Sequence, residues 1–123
     1  MIRRLLRTLR PFGLRPPPPG PRVAYARTGS FDEATSVSVE PDGTFRSEHD
    51  SFVTGGVREG RLSWRERAEL ARLVAALGIP GRAGFYDRAS GIAELTVDGR
   101  LWQWPHYPPT PEVAAVVRFL NGR

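Results

Sequence analysis

Residues 92–104 read Ile-Ala-Glu-Leu-Thr-Val-Asp-Gly-Arg-Leu-Trp-Gln-Trp. Two short runs, Ile92 to Val97 and Arg100 to Trp104, are separated by Asp98-Gly99 alone. That dipeptide readily takes positive φ at both central positions of a type I′ turn, the turn whose twist matches paired strands. The stretch therefore predicts an antiparallel hairpin, with Trp102 and Trp104 on one face and Leu101 on the other. A sheet containing such a pair needs a partner layer, and the flanking sequence supplies it. Upstream, Ser63-Trp64-Arg65-Glu66 is a capping box: serine oxygen and glutamate carboxylate each satisfy a free backbone donor. Leu70, Leu73, Val74 and Leu77 follow at helical spacing, which predicts a helix over about 64–77. Gly78 is expected to end it in the left-handed conformation, with Pro80 blocking continuation. Downstream, Thr110 caps a second helix with Pro111 at its first position, Val113, Val116, Val117 and Leu120 form the buried stripe, and Gly122 closes it.

Further upstream the period changes to two. Arg22 to Arg27 alternates Val23 and Tyr25 against Ala24 and Ala26, and Ser36 to Glu40 alternates through Val37 and Val39. Pro41-Asp42-Gly43 turns the chain, because proline presets φ and glycine accepts positive φ. Thr44-Phe45-Arg46 then begins a returning strand, so residues around 36–48 form a hairpin. Residues 50–60, with three glycines, fit either a short strand around Phe52-Val53 or a loop. Strands joined by tight turns, then helix, hairpin and helix, predict an α+β fold. The expected form is an antiparallel sheet of about four to five strands with two helices packed on one face.

The 123 residues suit one domain, placed at residues 22–123, behind a basic, proline-rich leader at residues 1–21. There is no cysteine, which excludes a disulfide scaffold, a cysteine–zinc module and a cysteine nucleophile. All 18 basic residues are arginine, and six of them (Arg3, Arg4, Arg7, Arg10, Arg15, Arg22) lie in the first 22 residues, where no acid appears. The rest of the chain sets 12 arginines against 13 acids, so the net charge of +5 belongs to the leader and the domain is nearly neutral. That balance speaks against a nucleic-acid partner for the folded part. Met1 to Arg10 places Ile2, Leu5, Leu6 and Leu9 on one stripe of a short basic amphipathic helix, and Pro16 to Pro21 forms an extended spacer. Weak contact with a membrane surface suits that composition; so do a disordered leader and a start read upstream of the natural one. A secretory signal does not fit, since no apolar run or small-residue cleavage site follows the charges.

Few residues suggest chemistry. A catalytic zinc site needs three protein ligands, and the two histidines, His49 and His106, lack acids suitably placed: the neighbours of His49 point to the opposite face of a strand. No serine sits on a G-x-S-x-G elbow, and no lysine exists to build a phosphate loop. The expectation is a protein that is not an enzyme, with no cofactor, no metal and no small-molecule substrate. Trp102, Trp104 and Tyr107 fit two readings, core packing or a partly exposed aromatic patch for a protein partner.

At Arg27-Thr28-Gly29-Ser30-Phe31 the chain resembles the emfourin-type proteins, small bacterial proteins proposed to inhibit protealysin and related thermolysin-like metallopeptidases. Leu62 to Val74 (LSWRERAELARLV) is similar to that family's L-x-x-x-E-x-x-E-L-x-x-L-V helix, and Pro111 to Leu120 to its closing P-x-V-x-x-V-V-x-F-L helix. The likeness spans about Val23 to Leu120; Ser30 stands where a second glycine is usual, and Pro80-Gly81 where an apolar–aromatic pair often occurs. It implies a cytoplasmic inhibitor or binding partner that docks in or near the zinc cleft of a metallopeptidase and carries no cofactor of its own. On that reading Gly29 and Ser30 turn the chain out of the first strand, Phe31 is the apolar anchor, and Asp32 and Glu33 present carboxylates toward the metal or an arginine. Phe31 folded back over the sheet edge as core is the competing placement. The competing function is a small interaction or membrane-surface adaptor whose docking element is the leader.

Overall fold

The computed structural model describes residues 19–28, 34–50, 56–82, 91–105 and 107–123. The elements are β1 (Val23–Thr28), β2 (Ala34–Val39), β3 (Thr44–Asp50), β4 (Gly56–Arg61), α1 (Trp64–Ala75), β5 (Gly81–Arg82), β6 (Ile92–Val97), β7 (Arg100–Trp104) and α2 (Pro111–Asn121). The strands form one sheet in the order β4-β3-β2-β1-β6-β7-β5, antiparallel throughout except for the two-residue β5, which runs parallel to β7. The α+β class thus holds, but the sheet is wider than the four to five strands expected. The extra width comes from β5 and from β4, which occupies Gly56–Arg61. The expected alternative at Phe52-Val53 lies outside the described residues. β4 carries no apolar alternation and is exposed along its length except at Gly60, which lies against the Phe45 ring; its main-chain ladder to β3 holds it, from Thr44↔Arg61 to His49↔Gly56.

The turns have the chemistry their residues dictate. Asp98 (φ 48°) and Gly99 (φ 86°) are both in the left-handed region, as a type I′ turn requires. Gly43 (φ 90°) closes the β2–β3 turn, its N–H donating to the Glu40 carbonyl at 2.8 Å. Thr44 locks that turn by donating its N–H (2.9 Å) and hydroxyl (2.6 Å) to Asp42 Oδ1. These donors hold the Asp42 carboxyl below its ordinary value of 3.8, the Thr44 hydroxyl being the larger cause. The start of the domain is tied to both turns: Gly20 N–H donates to the Pro41 carbonyl, and Arg22 N–H to Asp98 Oδ1. A water-sized cavity of about 10 Å³ lies between Pro21, Val39, Leu62 and Leu70.

Both reciprocal bonds of the α1 capping box form: Glu66 N–H donates to Ser63 Oγ at 3.1 Å, and Ser63 N–H to Glu66 Oε1 at 2.8 Å. The other Glu66 oxygen accepts from Arg123, so one carboxylate caps α1 and tethers the end of α2. Thr110 Oγ1 caps α2 by accepting from Val113 N–H at 3.2 Å. Gly78 does not end α1 in the left-handed conformation. The cap is Ala76, with ordinary helical φ of −85°; its N–H donates to the Leu73 carbonyl at 3.3 Å, and Leu77 N–H donates to the Val74 carbonyl at 3.1 Å. A last turn tightened in this way satisfies the carbonyls without glycine.

One sheet face is buried. Val23 and Tyr25 of β1 pair with Val39 and Val37 on one side and with Val97 and Leu95 on the other. This face joins Leu70 and Val74 of α1 and Val113, Val116, Val117 and Leu120 of α2 in a single core. The other face presents Ala24, Ala26, Ser36, Ser38 and Leu101 in an open array.

Candidate functional site

Strand direction gives the sheet two unlike ends. At one end lie the tight turns of β2–β3 and β6–β7, with the N-cap of α1. At the other, β1 ends and β2 begins, β3 ends and β4 begins, β6 begins, and β7 ends just before the cap of α2. The sequence-predicted anchor residues Gly29, Ser30, Phe31, Asp32 and Glu33 belong to the β1–β2 connection at this second end and lie outside the described residues, as does His106. What is described is their mounting. β1 is the central strand, and it stays paired on both sides to its last residue, Thr28↔Ala34 toward β2 and Thr28↔Ile92 toward β6.

The aromatic residues divide. Trp102 and Trp104 are 2% and 1% exposed, so they do not form a surface patch with Tyr107; they belong to the core. The reason is their register: Leu95↔Trp102 and Ala93↔Trp104 place both indoles on the helix side of the sheet. Trp104 stacks against Tyr25 with ring centroids 6.3 Å apart. Tyr107, just beyond β7 at the connection end, is 83% exposed.

The polar residues at this end were not legible as a group in the sequence, because only register assembles them. On the helix side of the sheet, Arg27 of β1 stands opposite Thr35 of β2, and Thr35 opposite His49 of β3. Arg58 of β4 lies one pair further in, opposite Ser47. Thr35 Oγ1 and His49 Nδ1 are 3.4 Å apart. Glu48, the acid beside His49 in sequence, is on the opposite face bonded to Arg46 at 2.8 Å. Glu48 followed by Glu59 holds the Arg46 guanidinium above its ordinary value. Among the described residues no group of three histidine, aspartate or glutamate side chains is placed to hold a metal ion, and no described helix is long and apolar enough to cross a membrane. Comparison with known proteins finds no family model and no curated protein that matches this sequence.

Proposed function

We propose that the chain is a non-catalytic protein inhibitor of a thermolysin-like, protealysin-type zinc metallopeptidase, docking through Gly29-Ser30-Phe31-Asp32-Glu33. The observation that supports this reading is the double pairing of β1 up to Thr28. A five-residue connection leaving the central strand departs from the stiffest part of the sheet and returns to it at once in Ala34. Such a mounting limits how far the connection can follow a substrate's path through a protease cleft, and it lowers the ordering cost of binding. Phe31 would supply the apolar anchor, and Asp32 or Glu33 a carboxylate for the metal or an active-site arginine. Inhibition of a thermolysin-like enzyme by wild type, Phe31→Ala and Asp32→Ala tests the reading. Loss of the anchor should weaken inhibition by about thirtyfold, equivalent to about 2 kcal/mol.

A further inference from the structure

Charge is sorted by sheet face. Glu48, Glu59 and Glu94 all fall on the open face, where Arg46 pairs with the first two and Gln103 donates to the third. The helix-side face carries Arg27, His49 and Arg58 near the connection end, and no described strand acid. Strands spaced about 4.8 Å apart set Arg27 and His49 within about 10 Å of each other, with Arg58 one strand beyond. Arg27 is half-buried on the central strand, and no described ion pair engages either Arg27 or Arg58. The five donors of a guanidinium, set in a planar fork, suit carboxylates, so two such groups on a face with no described strand acid favour an acidic ligand.

We propose that Arg27, Thr35, His49 and Arg58 form a shelf that receives an acidic stretch of the bound protein. The inference rests on the inhibitor reading, and it assigns the partner's chemistry: acidic surface beside the cleft in which the Phe31 connection docks. Arg27 is two residues ahead of Gly29 in the chain, so the shelf lies beside the point where β1 ends. Long-range attraction between such surfaces acts mainly on the association rate and is screened by salt.

The experiment uses the full chain, so that the leader's arginines contribute equally to every variant. Association rates and inhibition constants with a thermolysin-like peptidase are measured for wild type, Arg58→Glu, Arg27→Gln and the double variant. Arg118→Glu, on the exposed side of α2 toward the other end of the molecule, is the charge-matched control. The shelf predicts association about tenfold slower for Arg58→Glu at low salt, a smaller loss for Arg27→Gln, and convergence with wild type at about 0.5 M salt. Arg118→Glu should behave as wild type. If wild type inhibits and the shelf variants match the control, the shelf is overturned while the inhibitor reading stands. Wild type that inhibits no such peptidase overturns both. Shelf variants that lose salt-sensitive binding to single-stranded RNA while inhibiting normally would reassign the surface to nucleic acid and overturn the proposal.

Discussion

The edge strand β4 offers a matched pair of substitutions. Gly56 and Gly60 are both on its helix-side face, opposite His49 and Phe45. A methyl group added at Gly60 would meet the Phe45 ring at 2.7 and 2.8 Å, whereas one added at Gly56 would meet nothing within 4 Å. Neither residue has positive φ, so backbone strain does not enter. At Gly60, relief requires the Phe45 ring to slide several tenths of an ångström. That ring packs against the core, and displacing it should cost about 1–2 kcal/mol, as overpacking does elsewhere. At Gly56 the same change only narrows the unfolded ensemble, which stabilises by up to about 1 kcal/mol. For a domain of this size 1 kcal/mol moves the melting temperature by about 4 °C. Gly60→Ala should therefore melt about 4–8 °C below wild type, and Gly56→Ala at or slightly above it, by circular dichroism. Adding Phe45→Leu to Gly60→Ala should make the second change nearly silent. Equal melting temperatures for the two alanine variants would refute the close approach of Phe45 to β4.

Five further substitutions follow from the caps, the core and the β2–β3 turn. Ser63→Ala should cost about 1 kcal/mol through the lost cap, and Leu70→Ala about 2–5 kcal/mol as a fully buried side chain, more than Leu73→Ala, whose side chain is only partly buried; urea titration measures all three. Ser47 is 1% exposed and its hydroxyl has no partner among the described residues, so Ser47→Ala should leave stability unchanged or raise it by about 1 kcal/mol. Asp42 titrates below its ordinary value in the folded chain, so its contribution is present above the unfolded value and fades as pH falls through the lowered one. Asp42→Asn should flatten the stability curve below about pH 4.

The sequence carried those parts of the fold that local chemistry decides. Asp98-Gly99 specifies a turn without help from the rest of the chain, and the Ser63–Glu66 and Thr110–Pro111 signals are helix starts in themselves. Trp102 and Trp104 were legible as sharing a face; that the face is the core required the pairing with Leu95 and Ala93. β4 was not legible, since Gly56–Arg61 has no apolar alternation and depends on a ladder with β3. Gly78 misled because a helix end can be satisfied by a tightened last turn as well as by a left-handed residue. The shelf was the least accessible feature: Arg27, His49 and Arg58 are far apart in sequence, and only the register of four neighbouring strands gathers them.

The central claim is that the Gly29–Glu33 connection anchors the chain in a metallopeptidase, and inhibition kinetics test it most directly. Wild type and Phe31→Ala, each shown by circular dichroism to keep the fold, are titrated against a thermolysin-like enzyme. Wild type should inhibit, and Phe31→Ala should inhibit with a constant about thirtyfold weaker. Equal inhibition by the two proteins would remove Phe31 as the anchor, and no inhibition by wild type would contradict the proposed function itself.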